Sequence, residues 1–195
     1  NSDWEDIAID GDTLYIADTG NNGNARRDLG LYIVPEPNPE ATFQTRPWKW
    51  VPIKYPDQTE FPGRVRWHFD CEAMFVFKEK PFFITKHHVP GDVEGPEVSA
   101  NLYRLDSMHT DKVNTLTKVD TNKDLGGWVT SAKLSPDGKT LAVLCELPVS
   151  SVWLFETPRS GDKFLSNRAR RLVFTGAKQC EAICFDGNDT VIVTN

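Results

Sequence analysis

The chain has 195 residues, 39% hydrophobic and 26% charged, which supplies a substantial core and sets it apart from disordered or collagen-like chains. A formal net charge of −6 argues against nucleic acid and anionic membranes as partners, because both are held by a basic stripe; Arg26-Arg27 and Arg168 to Arg171 are too short to form one. No run of 18 apolar residues exists and no basic start leads into an apolar stretch, so neither membrane insertion nor an export leader is read here, although a cleaved leader would leave no trace.

Thirteen Gly, thirteen Pro and eleven Phe lie among short Val, Ile, Thr and Tyr runs, a mixture that favours strands over helices. In chain order, β-like runs are predicted at 5–10, 13–18, 30–34 and 48–54, then at 72–77, 81–86, 101–105 and 115–120. They continue at 131–135, 140–145, 151–155 and 169–174, and end with 181–186 and 190–194. The first two runs of each group are joined by tight turns: Asp10-Gly11-Asp12, Lys78-Glu79-Lys80, Pro136-Asp137-Gly138 and Asp186-Gly187-Asn188.

Each group opens on a related segment. Asp3-Trp4-Glu5-Asp6-Ile7-Ala8, Asp70-Cys71-Glu72-Ala73-Met74 and Gln179-Cys180-Glu181-Ala182-Ile183 place a Glu before an apolar run, and Thr130-Ser131-Ala132 fits the frame with Ser131 in place of the Glu. In that frame Ala73, Ala132 and Ala182 should superpose. Internal repetition with four strands per repeat predicts an all-β β-propeller, here about three and a half four-stranded blades. Residues 1–195 are read as a single propeller domain, a fragment lacking the remaining blades of a ring expected to have six.

Within an antiparallel blade, the start of the innermost strand lies beside the end of the second. Glu5, Asp18, Glu72, Lys86, Glu181 and Asn195 are thereby gathered into a polar ring at one channel mouth, with His87 beside them as a candidate base. Carboxylates and Asn carbonyls from separate segments suit Ca²⁺, so Glu5, Glu72, Glu181 and Asn195 are its candidate ligands. The same Glu residues have a plainer use, bonding backbone N–H groups at strand ends, and Lys86 offers a counter-charge instead of a metal. The loop Asp18-Thr19-Gly20-Asn21-Asn22-Gly23-Asn24-Ala25-Arg26-Arg27 reads first as a structural turn. His87 and His88 point opposite ways on an extended chain and cannot share one metal; His68 has no evident partner. Cys71, Cys145, Cys180 and Cys184 lack a zinc pattern, although Cys145 and Cys184 on neighbouring repeats leave a disulfide open. Gly-x-Ser-x-Gly, Gly-rich phosphate loops and His-Glu-x-x-His are missing.

The segments around Glu5, Glu72 and Glu181, with Asp18 to Asn22, Thr85-Lys86 and Ser135-Pro136-Asp137-Gly138, resemble a family of bacterial six-bladed β-propellers of largely unassigned function. More distantly, Asp18-Thr19-Gly20-Asn21-Asn22 is similar to the strand-end motif of NHL-type propellers, and the strand-start Glu residues are similar to those of the gluconolactonase and paraoxonase-like group. The second resemblance implies a channel-mouth Ca²⁺ activating an ester or lactone, with Ser131 and Lys86 departing from its pattern. The leading expectation is a binding or scaffold domain, extracellular or periplasmic, presenting its mouth to a small molecule or protein partner. Its alternatives are a calcium-dependent hydrolase of esters, lactones or phosphoesters, and a structural component of an extracellular assembly using exposed aromatics such as Trp48 and Trp50.

Overall fold

The computed structural model describes residues 2–42, 44–176 and 178–194. Among them are sixteen strands and no helix: β1 (Trp4–Asp10), β2 (Thr13–Asp18), β3 (Gly30–Pro35), β4 (Lys49–Lys54), β5 (Trp67–Phe77), β6 (Lys80–Val89), β7 (Asp92–Glu97), β8 (Ala100–Arg104), β9 (Asn114–Thr115), β10 (Thr117–Asn122), β11 (Gly127–Leu134), β12 (Thr140–Pro148), β13 (Ser151–Glu156), β14 (Ala169–Val173), β15 (Ala182–Asp186) and β16 (Thr190–Thr194). They form antiparallel sheets in the orders β1-β2-β3-β4, β5-β6-β8-β10 and β11-β12-β13-β14, followed by the hairpin β15-β16. The first strands pack in succession, β1 on β5, β5 on β11 and β11 on β15. Sheets arrayed by their innermost strands make a partial β-propeller.

Both faces of the middle sheets are covered, so their central strands carry short apolar runs, Phe82 to Ile84 and Leu141 to Cys145, in which successive side chains serve opposite neighbours. In β6, Phe83 joins the core shared with the first sheet, whereas Phe82 and Ile84 join the core shared with the third. In β12, Leu141, Val143 and Cys145 face the second sheet, and Ala142 and Leu144 face the hairpin with Cys180 and Ile183. Each such fully buried aliphatic or aromatic side chain contributes about 1.5–3 kcal/mol.

Two strands go beyond the sequence expectation. β7 folds back on β6 because β6 runs past Lys86 to Val89 before Gly91 turns the chain at φ +83°. β9 is a two-residue parallel pair with β4, fixed by Asn114, whose Nδ2 donates to the Pro52 carbonyl at 3.0 Å. The hairpin between β5 and β6 turns on Lys78 and Glu79, both at positive φ (+52° and +62°), the geometry that right-handed strand twist demands of a two-residue turn.

Each innermost strand of the three sheets carries an extra residue. Register passes from Trp4↔Asp18 to Asp6↔Ala17, from Cys71↔Thr85 to Ala73↔Ile84, and from Val129↔Cys145 to Ser131↔Leu144. Glu5, Glu72 and Thr130 are thus the bulged positions. The repeat frame is corrected accordingly: Thr130, not Ser131, stands with the Glu residues, and Ser131 rather than Ala132 corresponds to Ala73 and Ala182. The four cysteines are free thiols. No Cys145–Cys184 bridge forms, because Cys145 points into the core between the second and third sheets and Cys184 is exposed. Among the described residues no helix is long and apolar enough to cross a membrane.

Candidate functional site at the channel mouth

A bulge releases one residue from the ladder and re-aims its side chain. The bulged Glu5 and Glu72, with Glu181 just ahead of β15 and Lys86 from β6, line one cavity of about 340 Å³. A second cavity of about 360 Å³ shares Lys86, Trp128 and Glu181 with it and runs on to Thr130 and Glu146. The mouth is thus a continuous polar depression fed by all four sheets.

Its electrostatics centre on Lys86. Lys86 Nζ donates to Glu72 Oε1 at 2.7 Å and lies 4.9 Å from the centroid of the Trp128 ring. Burial pulls the ammonium pKa down, but the carboxylates of Glu72, Asp70 and Glu181 outweigh it, and the net direction is up. Glu72 is pushed up to about 7, by burial first and then Asp70, with Lys86 opposing. Glu5 is pushed up to about 9 by burial, then by Glu72, Asp70 and Asp3, so it holds a proton at neutral pH. A Cβ at Gly20 would collide with the carboxylate oxygens of Glu5 and Asp3, which approach the backbone only because that residue is Gly.

The other residues singled out in the sequence go elsewhere. Asp18 is buried, accepting from Asp3 N and Arg26 Nη2 at 2.9 Å each and from Ser2 Oγ at 2.8 Å. Its loop is a clasp on the second sheet: Asn21 N donates to Asp70 Oδ1 at 2.5 Å, Asn21 Nδ2 to the Phe69 carbonyl at 3.0 Å, and Phe69 N to Asn24 Oδ1 at 2.9 Å. Asn24 sits in the left-handed region at φ +48°, which Asn tolerates. His87, on the face of β6 away from Lys86, is buried among Thr85 Oγ1 (2.8 Å), Ser99 Oγ (2.8 Å) and Asn101 Nδ2 (3.2 Å). Burial first, then the charge of neighbouring His68 and Lys118, holds its pKa well below the ordinary imidazole range. His88 turns the other way and pairs with Asp70 at 2.9 Å, both fully buried. Asn195 lies outside the described residues. Trp48 is exposed; Trp50 instead packs on Tyr32, ring centroids 4.5 Å apart, in the space left by Gly30.

Sequence reasoning missed the residue that ties the inner strands together. Asp6 Oδ2 accepts from Met74 N of β5 at 2.8 Å, and its Oδ1 accepts from Lys133 Nζ of β11 at 2.7 Å. Ser131 Oγ and Ala132 N reach the same carboxylate at 3.4 Å. Burial pushes its carboxyl up despite Lys133. Glu146 performs the strand-end role foreseen for the ring Glu residues, its Oε1 accepting from Cys180 N. Thr130 Oγ1 adds a bond to the Cys180 carbonyl at 2.8 Å, and Thr19 Oγ1 does the same to Cys71 at 2.9 Å between the first two sheets. A signal was present for Asp6, which follows Glu5 in the repeated segment.

The mouth can therefore hold positive charge among carboxylates, one of which carries a proton to give up. No protein-family model matches the chain, and no curated protein matches it. Among solved structures it is similar to the crystal structure of Sqt1 from Chaetomium thermophilum, with a TM-score of 0.41 and 13% identity over 96% of this chain. The chain spans 40% of that structure's length. The fold described above rests on sheet order and inner-strand packing, independently of that likeness.

Proposed function

We propose that this arc of propeller is a binding module whose channel mouth takes up an organic cation, either a free small-molecule amine or a Lys side chain of a protein partner. The observation that carries the reading is the convergence of Glu5, Glu72 and Glu181 from three sheets on one cavity with an ammonium, Lys86, already seated between them over Trp128. An incoming ammonium meets the same surroundings: carboxylate oxygens, an aromatic wall and a screened, half-closed space. Entry of a cation lowers the Glu5 pKa, so uptake releases a proton.

The experiment is titration calorimetry with n-butylammonium and with a Lys-containing peptide, in two buffers of different ionisation enthalpy. Expected is binding whose heat depends on buffer, with that dependence lost in Glu5→Gln and affinity reduced in Glu181→Gln. Tight binding of the peptide alone assigns a protein partner; equal binding of the free amine assigns a small molecule. Indifference of the protein to both probes overturns the reading.

A calcium-dependent hydrolase is the second reading, favoured by the same oxygen donors from separate sheets. Lys86 weighs against it by occupying Glu72, and so does His87, whose imidazole is turned from the mouth. A thermal midpoint that falls on chelation in wild type, and not in Glu72→Gln, would place calcium ahead of an organic cation.

A further inference from the structure

On the opposite face of β6 from Lys86, a second group of ligating side chains comes together that the mouth does not use. His68 comes from the irregular start of β5, His87 from β6 and Glu97 from β7, where pairing sets Glu97 directly opposite His87. One donor atom from each lies within 4.8 Å of the others. The imidazoles of His68 and His87 are stacked, centroids 3.9 Å apart and planes 4° from parallel, and His68 Nε2 is 2.8 Å from Glu97 Oε2.

We propose that His68, His87 and Glu97 form a site for a divalent first-row transition ion of the zinc class, with one coordination position open. Two imidazoles and a carboxylate are the donor set of such three-ligand sites. Tetrahedral bonds of about 2.0–2.1 Å require donors about 3.3 Å apart, so the widest pair, within 4.8 Å, has to close by up to about 1.5 Å, and His68 has to turn out of its stack on His87 so that both in-plane lone pairs meet at the ion. Two of the three ligands have room to make that adjustment: the side chains of His68 and Glu97 are 21% and 33% exposed. The ion takes the place of the hydrogen bond between His68 Nε2 and Glu97 Oε2: a neutral His68 then carries its hydrogen on Nδ1, and only an imidazolium gives up a proton to solvent. His87 is the fixed ligand, and its surroundings already resemble an outer ligand shell. Hydroxyls stand at both of its ring nitrogens, Ser99 Oγ at Nδ1 and Thr85 Oγ1 at Nε2, where the Asn101 amide nitrogen also lies at 3.2 Å. A hydroxyl either donates or accepts, so whichever nitrogen is freed for the metal, the other keeps a partner. Lys118, whose charge also acts on His87, is engaged with Asp57 at 3.2 Å.

The test is titration of the chain with Co²⁺ and with Zn²⁺, followed by visible d–d absorption and calorimetry. One equivalent is expected, with the absorption of a four- or five-coordinate ion and no thiolate charge-transfer band, which separates the site from the exposed Cys184. His68→Gln and Glu97→Gln, both at partly exposed positions, should each weaken affinity by at least the 10–100-fold that loss of an outer-shell partner produces, while thermal unfolding of the metal-free protein stays close to wild type. Glu72→Gln, at the mouth, should leave the absorption unchanged. Absence of a d–d band, or a band that survives both His68→Gln and Glu97→Gln, overturns the site; a band lost in Glu72→Gln assigns the ion to the mouth and overturns it equally.

Discussion

Replacing Glu5 by Gln isolates the electrostatics of the mouth. In the folded chain its carboxyl is pushed up from an ordinary 4.5 to about 9. Below pH 4.5 both folded and unfolded chains carry the proton. Between there and about pH 9 the folded chain keeps it and the unfolded chain loses it, so wild-type stability falls as pH rises through this window and levels off above it. At about 1.4 kcal/mol per pH unit the full displacement has a ceiling of about 6 kcal/mol. Glu5 is only partly buried and shares its surroundings with Glu72, so solvent screening reduces this to about 2 kcal/mol. Gln mimics the protonated acid and cannot ionise. The variant should match wild type below about pH 4.5, exceed it by about 1 kcal/mol near pH 7, and exceed it by about 2 kcal/mol above pH 9. Urea midpoints measured for both proteins across that range, at constant m-value, give the difference directly. Parallel stability curves for wild type and Glu5→Gln would refute the argument that Glu5 is held protonated by burial and its acidic neighbours.

Asp6→Ala removes the carboxylate that joins three inner strands and strands the Met74 N–H; a loss of about 3–5 kcal/mol is expected by urea denaturation, and a loss under about 1 kcal/mol would show that the strands hold without it. Asn24→Ala forfeits the bond to Phe69 N and puts a β-carbon at φ +48°, and should cost about 2–3 kcal/mol, whereas Asn24→Gly relieves the backbone and should cost measurably less. Glu79→Gly places Gly in a turn position already at φ +62°, and thermal unfolding should rise by the equivalent of about 0.5–1 kcal/mol. Gly127→Ala drives a β-carbon into the backbone carbonyls of Glu146 and Leu147 and should cost about 1–3 kcal/mol, read as a lower midpoint.

The blades were legible because their middle strands, such as Phe82-Phe83-Ile84 and Leu141-Ala142-Val143-Leu144-Cys145, are apolar on both faces and are punctuated by turn residues at regular intervals. Convergence of Glu5, Glu72, Lys86 and Glu181 on one mouth followed from strand polarity alone. Residue-level frame did not. A bulge is invisible in a hydrophobic pattern, so the pattern places the third repeat one residue out, on Ser131. Nor does strand polarity say which face a side chain takes after the register slips, which is why Asp18 is enclosed by its own loop and Arg26, and His87 by Ser99 and Asn101. The partners of His68 were hidden because β7 crosses a Gly- and Pro-containing stretch, Gly91 to Pro96, that does not read as a strand.

The bulged positions have a consequence for how such a mouth diversifies. A ladder residue is answerable to its partner on the next strand, but Glu5, Glu72 and Thr130 are answerable to none, so each can be exchanged without disturbing sheet pairing. The blades of the fold and the chemistry at its channel mouth are in effect written in separate columns of the sequence. One substitution, Thr130→Glu, would add a carboxyl group beside Lys86 and Glu181, forfeiting the bond to the Cys180 carbonyl, about 1 kcal/mol, and adding the desolvation of one more buried acid. Relatives of this chain can therefore share its blades closely and still differ in the charge, and hence the ligand, that their openings accept.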